Sequence, residues 1–232
     1  MDVRILHMIE GARQATGVAV IIDVFRAFTV EAWLAARGAE KIIPVGDMDI
    51  AYRYKEEHPD CILVGERHGV ILPGFDFGNS PSQISREDFT GRTVVHTTSA
   101  GTQGIANAVN ADVVLTGSLV NAGAIAKYIQ KEGFSDVSLV CMGLEGVSQI
   151  EEDNLCAEYI RGLLLGYTID LESGIEELKH TSGAKFFDEK QQDVFPMPDF
   201  WCSVDVDRFD FVLRLVKDPE GLDYMEVIEV EK

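Results

Sequence analysis

The sequence predicts an α/β protein: a mixed, largely parallel sheet covered by helices, followed by an irregular α+β C-terminal part. Two observations support this prediction. Short runs of apolar, β-branched residues recur through the first two thirds of the chain, as expected for strands buried on both faces. Between several of these runs lie stretches with apolar residues on one face, which is typical of helices packed on a sheet.

The predicted strands and helices follow one another along the chain. Each predicted strand is a continuous apolar run, and two predicted helices end at glycines, Gly38 and Gly166, which commonly stop helices. The strands are predicted at 18–22, 41–45, 61–64, 92–97, 112–116 and 137–142, and the helices at 27–37, 103–109, 121–131 and 151–165.

The pattern changes beyond Gly166. A short helix is predicted over 174–179, a polar and irregular stretch follows, and only 224–230 reads clearly as a strand. We therefore expect an α/β core over residues 1–166 that carries the active site. Residues 167–232 are expected to form a C-terminal extension packed on that core, with a soft boundary between the two.

Composition and charge limit the function classes. Of 232 residues, 46% are hydrophobic and 25% charged, as in folded globular proteins, which excludes a disordered or fibrous chain. The chain has a formal net charge of −19 and contains no basic tract, which argues against nucleic acids and anionic membranes as partners. No apolar run approaches the roughly 20 residues that span a bilayer, and the N-terminal segment lacks signal-peptide features, so the cytoplasm is the expected location. A homo-oligomer is compatible with the sequence.

Polar residues are concentrated directly after the predicted strands. In open α/β sheets, ligands bind outside the carboxyl ends of parallel strands. We expect Asp23, Arg67, Thr98, Ser118 and Glu152 to line one pocket, because each follows a strand whose carboxyl end should face the same way.

The segment TTSAGTQG at 97–104 is a candidate anion site, since it joins a strand to a helix and supplies hydroxyls and backbone N–H groups. A simple helix cap explains it equally well. Arg26 and Arg67 each follow a buried strand. There a guanidinium is expected to bind an anionic ligand or to pair with Asp23 and Glu66.

Several carboxylates near these strand ends are candidate Mg²⁺ ligands. Mg²⁺ binds hard oxygen donors and often takes only one or two carboxylates together with waters and phosphate oxygens. A divalent cation would also explain how so acidic a protein holds an anion, although any one of these side chains alone could be a surface group or a helix cap. The candidate ligands are Asp23, Glu66, Asp76, Glu152 and Asp153.

Five segments together resemble, in order, the sequence blocks of the 2-phosphosulfolactate phosphatase family. They are IDVFRAFT (22–29), VGERHGVILPGFDFGNSPSQ (64–83), TTSAGT (97–102), GSLVNAGAIA (117–126) and CMGLEGVSQIEEDNLCAEYI (141–160). The resemblance is close over residues 18–165 and looser over 199–212. The long loop GERHGVILPGFDFGNSP is its most specific part.

This resemblance implies a Mg²⁺-dependent hydrolase that removes phosphate from 2-phosphosulfolactate on the route to coenzyme M. Ala100 stands where the family typically has asparagine. Carried over by position, the family blocks match this chain at Asp23, Arg26, Glu66, Arg67, Asp76, Asn79, Ser80, Thr98, Gly101, Thr102, Ser118, Asn121, Glu152 and Asp153.

On this basis we predict an enzyme in which either water or a protein nucleophile attacks phosphorus, with Cys141 as the reserve nucleophile. The alternative is a non-catalytic protein that binds small anions. The hypothesis assigns residues to metal binding, catalysis and substrate binding. The metal ligands are the five carboxylates above. The other catalytic residues are Asp23, Arg26, Glu66 and Arg67, and the substrate-binding residues are Asn79, Ser80, Thr98, Ser99, Gly101, Thr102, Ser118 and Asn121.

Overall fold

The computed structural model describes residues 1–219 and 221–231. Within this part of the chain, ten strands form a mixed sheet with helices on its faces, which confirms the predicted fold class. The strands are β1 (Asp2–His7), β2 (Val18–Ile22), β3 (Lys41–Pro44), β4 (Ile62–Arg67), β5 (Val70–Ile71), β6 (Thr93–Thr97), β7 (Val113–Gly117), β8 (Asp136–Cys141), β9 (Phe211–Val216) and β10 (Tyr224–Glu229). The α-helices are α1 (Met8–Gln14), α2 (Ala27–Ala36), α3 (Met48–Glu57), α4 (Pro81–Ile84), α5 (Gly101–Asn107), α6 (Ala122–Glu132), α7 (Glu151–Leu165), α8 (Leu171–Leu178) and α9 (Met197–Ser203).

The central strand β2 shows why buried strands could be predicted from the sequence. All five of its residues are buried, and they alternate between the two faces of the sheet. Ala19 and Ile21 pack with apolar residues of α2 and α5, whereas Val20 and Ile22 pack with those of α6 and α7. Since both faces are covered, the strand reads as one continuous apolar run.

Of the three strands that the sequence pattern did not predict, β5 is only two residues long, whereas β1 and β9 carry charged side chains that interrupt their apolar character. In β1, the Arg4 guanidinium donates to the Asp136 carboxylate at 2.6 Å. In β9, Arg214 donates to Glu226 at 2.6 Å. Both arginines are part-exposed, so these strands lack the uniform burial that marks β2.

The sheet contains two parallel sets of strands that run in opposite directions. Its order is β1-β8-β2-β7-β9-β10-β3-β6-β4-β5. Strands β1, β8, β2 and β7 are mutually parallel, as are β3, β6 and β4. Between the sets, β7–β9, β9–β10 and β10–β3 all pair antiparallel, and three such pairings reverse the direction. The expectation that the site strands share one direction is therefore wrong, because the C-terminal hairpin lies in the middle of the sheet.

The ends of the two sets nevertheless meet through crossover helices. Helix α2 leads from β2 to β3 and α5 leads from β6 to β7, so each connects one set to the other, and the two helices pack together. Gly101, at the start of α5, lies so close to Asp23 that a Cβ at this position would be 3.0 Å from the Asp23 Oδ2 atom. The carboxyl ends of β2 and β6 thus share one region.

A buried ion pair joins the C-terminal part to this region. Arg26 Nη1 lies 2.7 Å from Asp199 Oδ2, with side-chain exposures of 4% and 0%. The other oxygen of Asp199 accepts hydrogen bonds from the Ser80 hydroxyl at 2.7 Å and the Ser82 N–H at 3.0 Å. Asp199 therefore holds α9 against both α2 and α4. The boundary near residue 167 stays a prediction.

We expect Asp199→Asn to lower the free energy of unfolding by about 3–5 kcal/mol, because it leaves the buried Arg26 charge without a carboxylate. Urea unfolding monitored by circular dichroism measures the change. Asp205→Asn is the control, since Asp205 lies 3.9 Å from Arg208 in an exposed pair that should contribute at most about 1 kcal/mol. Equal stabilities of the two variants would contradict the anchoring role of Asp199.

Candidate active site

A pocket of about 140 Å³ lies where the two sets of strands meet. Its walls come from residues that follow β2, β4, β6 and β8 and from the C-terminal segment around residues 185–195. Phe25 and Phe195 contribute apolar surface. The polar and charged residues that line it are Asp23, Arg26, Glu66, His68, Asn79, Thr98, Ser99, Glu145 and Lys185.

Glu66 holds two loops of the pocket together. Its Oε1 accepts the Ser99 N–H at 2.8 Å, and its Oε2 accepts the Gly69 N–H at 2.6 Å and the Ser99 hydroxyl at 3.3 Å. Glu66 lies near the end of β4 and its side chain is buried. Because both oxygens already accept backbone N–H groups, this carboxylate shapes the pocket wall.

Three further carboxylates are buried beside the end of β2. Asp23 Oδ1 accepts the Ala27 N–H at 3.1 Å. Asp153 ties β2 to β8, since its oxygens accept the N–H groups of Val24 at 2.9 Å and Gly143 at 2.8 Å. Glu152 is fully buried, and neither of its oxygens has a hydrogen-bond partner among residues 1–219 and 221–231.

Burial makes these carboxylates hold their protons more tightly than usual. It raises the pKa of Asp23 to about 6. It also raises the pKa of Glu152 to about 7, against the opposing effects of the Ser182 hydroxyl and the Lys185 ammonium. Burial together with the charges of Asp23 and Glu152 raises the pKa of Asp153 well above its usual range. A cation bound nearby would favour the ionised forms.

The structure separates Asp76 from the other predicted metal ligands. Asp76 Oδ2 accepts the Leu63 N–H at 2.8 Å and lies 3.4 Å from Lys55 Nζ, outside the residues that line the pocket. Asp23 and Glu66 line the pocket, and Glu152 and Asp153 lie behind it. Across the described residues, no group of three His, Cys, Asp or Glu side chains is arranged to hold a metal ion.

Neither candidate arginine offers a free guanidinium. Arg26 lines the pocket, but its Nη1 donates to Asp199 and to the Val194 carbonyl at 2.9 Å. Arg67 lies outside the pocket lining, where its Nη1 donates to the Glu66 carbonyl at 2.7 Å and its Nη2 to the Thr97 hydroxyl at 3.1 Å. The partners expected from the sequence, the carboxylates of Asp23 and Glu66, do not bind either arginine.

The 97–102 loop is fixed by two threonines. The Thr98 N–H donates to the Thr102 hydroxyl oxygen at 3.1 Å, and the Thr102 N–H donates to the Thr98 hydroxyl oxygen at 3.2 Å. Gly101 allows this loop to approach Asp23. The helix-cap explanation therefore holds for part of the loop, while Thr98, Ser99 and Ala100 also line the pocket.

The remaining substrate-binding candidates divide into one pocket residue and three supporting residues. Asn79 lines the pocket, whereas the Ser80 hydroxyl binds Asp199. The Asn121 Oδ1 accepts the Ser118 N–H at 3.1 Å and caps the 3₁₀ turn Leu119–Asn121. Ser118 and Asn121 are buried away from the pocket lining, so their polar groups are used within the fold.

Cys141 does not have the environment of a nucleophile. The thiol is buried at the end of β8 and donates to the Asp153 carbonyl at 3.4 Å. Burial raises its pKa well above the usual range, and only the thiolate is strongly nucleophilic. Cys141 is also absent from the pocket lining.

The structure adds a buried network that the sequence did not predict. His96 Nδ1 lies 2.9 Å from Glu31 Oε1, and His96 Nε2 lies 3.3 Å from Asn79 Oδ1. All three side chains are buried, and Asn79 brings the network to the pocket. A carboxylate within the apolar helix α2 is the sequence signal that could have pointed to Glu31. Lys185 was also missed, because it lies in the irregular C-terminal stretch.

The buried carboxylates predict an inverse dependence of stability on pH. The folded-state pKa of Glu152, about 7, lies above its ordinary value of 4.5. Its contribution to stability is therefore fully present below about pH 4.5 and lost as pH rises through about 7. In EDTA, the free energy of unfolding of the wild type should fall between pH 5 and pH 8. In Glu152→Gln this fall should be smaller by about 2 kcal/mol, because residue 152 no longer ionises.

Urea unfolding at both pH values measures this effect. Glu151→Gln is the control, because Glu151 is the exposed neighbour in the first turn of α7. The same pH dependence in wild type and Glu152→Gln would contradict the raised pKa.

Comparisons with known proteins identify the family of the chain. A family model described as 2-phosphosulpholactate phosphatase matches residues 4–193. A probable 2-phosphosulfolactate phosphatase of Bacillus subtilis is 31% identical over 205 residues, covering 87% of this chain and 88% of the relative. A protein of the same name from Carboxydothermus hydrogenoformans is 38% identical over 165 residues, covering 71% and 68%. One from Caldicellulosiruptor saccharolyticus is 39% identical over 151 residues, covering 63% and 62%.

The α/β fold, the carboxylate-rich pocket and these matches define a phosphatase, a phosphoric monoester hydrolase. The chain belongs to the 2-phosphosulfolactate phosphatase family. In the described ranges, no helix has both the length and the apolar character needed to cross a membrane.

Proposed function

We propose that this protein hydrolyses 2-phosphosulfolactate, the substrate in the names of its relatives, to sulfolactate and phosphate. The observation that carries the proposal is the pocket itself: the buried Asp23 carboxylate faces a small cavity bordered by the hydroxyl-bearing loop of Thr98 and Ser99. From the family resemblance, we extend the proposal to a role on the route to coenzyme M in the cytoplasm.

We further propose that the reaction depends on Mg²⁺. Asp23 and Glu152 would hold the ion, since both carboxylates are buried close enough for their charges to interact and the Glu152 oxygens meet no hydrogen-bond partner among the described residues. Two carboxylates suffice for a site that is completed by waters and phosphate oxygens. When bound, Mg²⁺ supplies charge neutralisation at the phosphoryl oxygens.

The chain's own polar groups would orient the phosphate. Thr98 supplies a hydroxyl and Asn79 an amide at the pocket, and Ser99, whose hydroxyl donates to Glu66, lies beside them. Glu66 keeps Ser99 in place, and the Glu31–His96 pair does the same for Asn79. Fixed donors of this kind stabilise the charge that develops on the phosphoryl oxygens, because they need no reorganisation during the reaction.

Phosphate release from 2-phosphosulfolactate tests the proposal. Wild type with Mg²⁺ should release phosphate, and EDTA should abolish the release. Asp23→Asn should lower kcat/KM by about 100-fold or more without lowering Tm, because it removes a carboxylate whose ionisation burial disfavours.

Asp76→Asn is the matched control, since the structure separates this residue from the pocket. It should keep EDTA-sensitive activity. Loss of the Mg²⁺-dependent activity in Asp76→Asn, or a much higher Mg²⁺ concentration needed for it, would instead favour the ligand set expected from the sequence. Binding of phosphate and sulfolactate by wild type without turnover would favour the alternative of a non-catalytic anion-binding protein.

His68 is the proposed proton donor to the leaving group. It lines the pocket, and its Nδ1 is hydrogen-bonded to Glu145 Oε1, which raises the pKa of the imidazole and leaves Nε2 to donate. Water would supply the new P–O bond and lose its proton to solvent. As the ester P–O bond breaks, its electron pair stays on the alcohol oxygen, which takes the proton from Nε2.

We expect His68→Gln to lower kcat for 2-phosphosulfolactate by about 100-fold, because an alkoxide is a poor leaving group without a proton. The same variant should hydrolyse p-nitrophenyl phosphate at nearly the wild-type rate, since p-nitrophenolate leaves without protonation. His58→Gln, outside the pocket, is the control for both substrates. Equal losses for the two substrates would contradict a role in leaving-group protonation.

A further inference from the structure

Lys185 is a pocket residue with an unusual environment. It lies in the 3₁₀ turn Ala184–Phe187 and lines the pocket. Its Nζ is 5.1 Å from the centroid of the Phe195 ring and 5.5 Å from that of Phe186. Among residues 1–219 and 221–231, no carboxylate lies within 4.0 Å of this ammonium group and no acceptor forms a hydrogen bond with it.

The other positive groups at the pocket have partners. Arg26 is bound by Asp199, and the His68 ring is bound by Glu145. Of the charged nitrogen groups that line the pocket in the described chain, Lys185 alone lacks a carboxylate partner. It is therefore the group whose donors remain available to a ligand.

The charges around Lys185 explain why such a group would matter. The chain carries a formal net charge of −19, and Asp23, Glu66 and Glu145 add carboxylates to the pocket lining. Burial lowers the pKa of Lys185, while the nearby charges of Glu152 and Asp23 oppose that effect. A half-buried ammonium without a hydrogen-bond acceptor gains most from an anionic ligand that replaces its lost hydration.

We propose that Lys185 binds an acidic group of the substrate other than the phosphate and makes the site selective for phosphate monoesters that carry a second fixed negative charge. This inference rests on the proposed function and names a residue that would recognise the part of the substrate outside the phosphate. Thr98, Ser99 and Lys185 line the same small pocket from two segments that are distant in sequence.

Three substrates with the same type of secondary-alcohol leaving group separate the contributions. Isopropyl phosphate has no second acidic group, 2-phospholactate adds a carboxylate, and 2-phosphosulfolactate adds both a carboxylate and a sulfonate. Lys185→Met keeps most of the aliphatic side chain near Phe186 and Phe195 and removes the charge. Lys190→Met, at an exposed lysine in the next turn of the segment, is the matched control.

We expect Lys185→Met to lower kcat/KM for 2-phosphosulfolactate by about 10- to 100-fold, mainly through KM, as for the loss of one charge-assisted hydrogen bond. Isopropyl phosphate should change less than about two-fold, and Lys190→Met should leave all three substrates unchanged. Lys185→Arg should recover part of the activity. A loss that begins with 2-phospholactate assigns Lys185 to the carboxylate, and one confined to 2-phosphosulfolactate assigns it to the sulfonate.

The proposal is overturned if Lys185→Met affects isopropyl phosphate as strongly as 2-phosphosulfolactate, or affects neither. Calorimetric binding of sulfolactate provides a readout that is independent of turnover. Weaker binding to Lys185→Met than to wild type, at unchanged Tm, supports the role of Lys185 even if wild type fails to hydrolyse 2-phosphosulfolactate. Equal binding of sulfolactate to both proteins, or no binding to wild type, overturns it.

Discussion

The buried ion pair between Arg26 and Asp199 is the interaction on which the pocket depends. It joins residues 173 positions apart, and the same aspartate accepts hydrogen bonds from Ser80 and Ser82. One carboxylate thereby fixes α9 against the starts of α2 and α4. Since the segment before α9 supplies Lys185 and Phe195, the C-terminal wall of the pocket is held in place by a contact outside the proposed chemistry.

This arrangement has an electrostatic consequence. Arg26 follows β2 closely in sequence and lines the same pocket as Asp23, but its guanidinium pairs with Asp199. The carboxylates of Asp23, Glu152 and Asp153 have no ion-pair partner among the described residues, and burial raises their pKa values although the Lys185 charge opposes this effect at Asp23 and Glu152. In the proposed Mg²⁺ site, a bound cation would favour the ionised carboxylates, so part of the free energy that their burial costs would be recovered as affinity for the cation.

The sequence predicted the parts of the fold in which both faces of a strand are buried. β2, β7 and β8 were readable because helices cover them on each side, whereas β1 and β9 carry arginines that reach the surface. Strand direction could not be predicted, because the reversal is produced by β9 and β10, which follow β7 by about a hundred residues of sequence and pair in the middle of the sheet.

The same distinction applies to the site. Asp23, Glu66 and Thr98 were found because polar residues directly after buried strands are conspicuous. Arg67 and Ser118 have the same sequence signature, yet the fold uses their polar groups internally, and no local pattern distinguishes the two outcomes. Lys185 comes from an irregular segment, so only the packing of that segment on the core brings it to the pocket.

Gly101 allows the ends of the two oppositely directed sets of strands to lie close together. The start of α5 must approach the end of β2 closely, and a Cβ at position 101 would lie 3.0 Å from the Asp23 carboxylate, from Ala27 and from Phe28. Any larger residue would push α5 away from Asp23 or displace the carboxylate. Because Thr98 and Ser99 lie in the short loop directly before α5, the same glycine sets the separation between those residues and Asp23. The pocket therefore exists through close backbone approach between two sets of strands, and not through a shared edge of one parallel sheet.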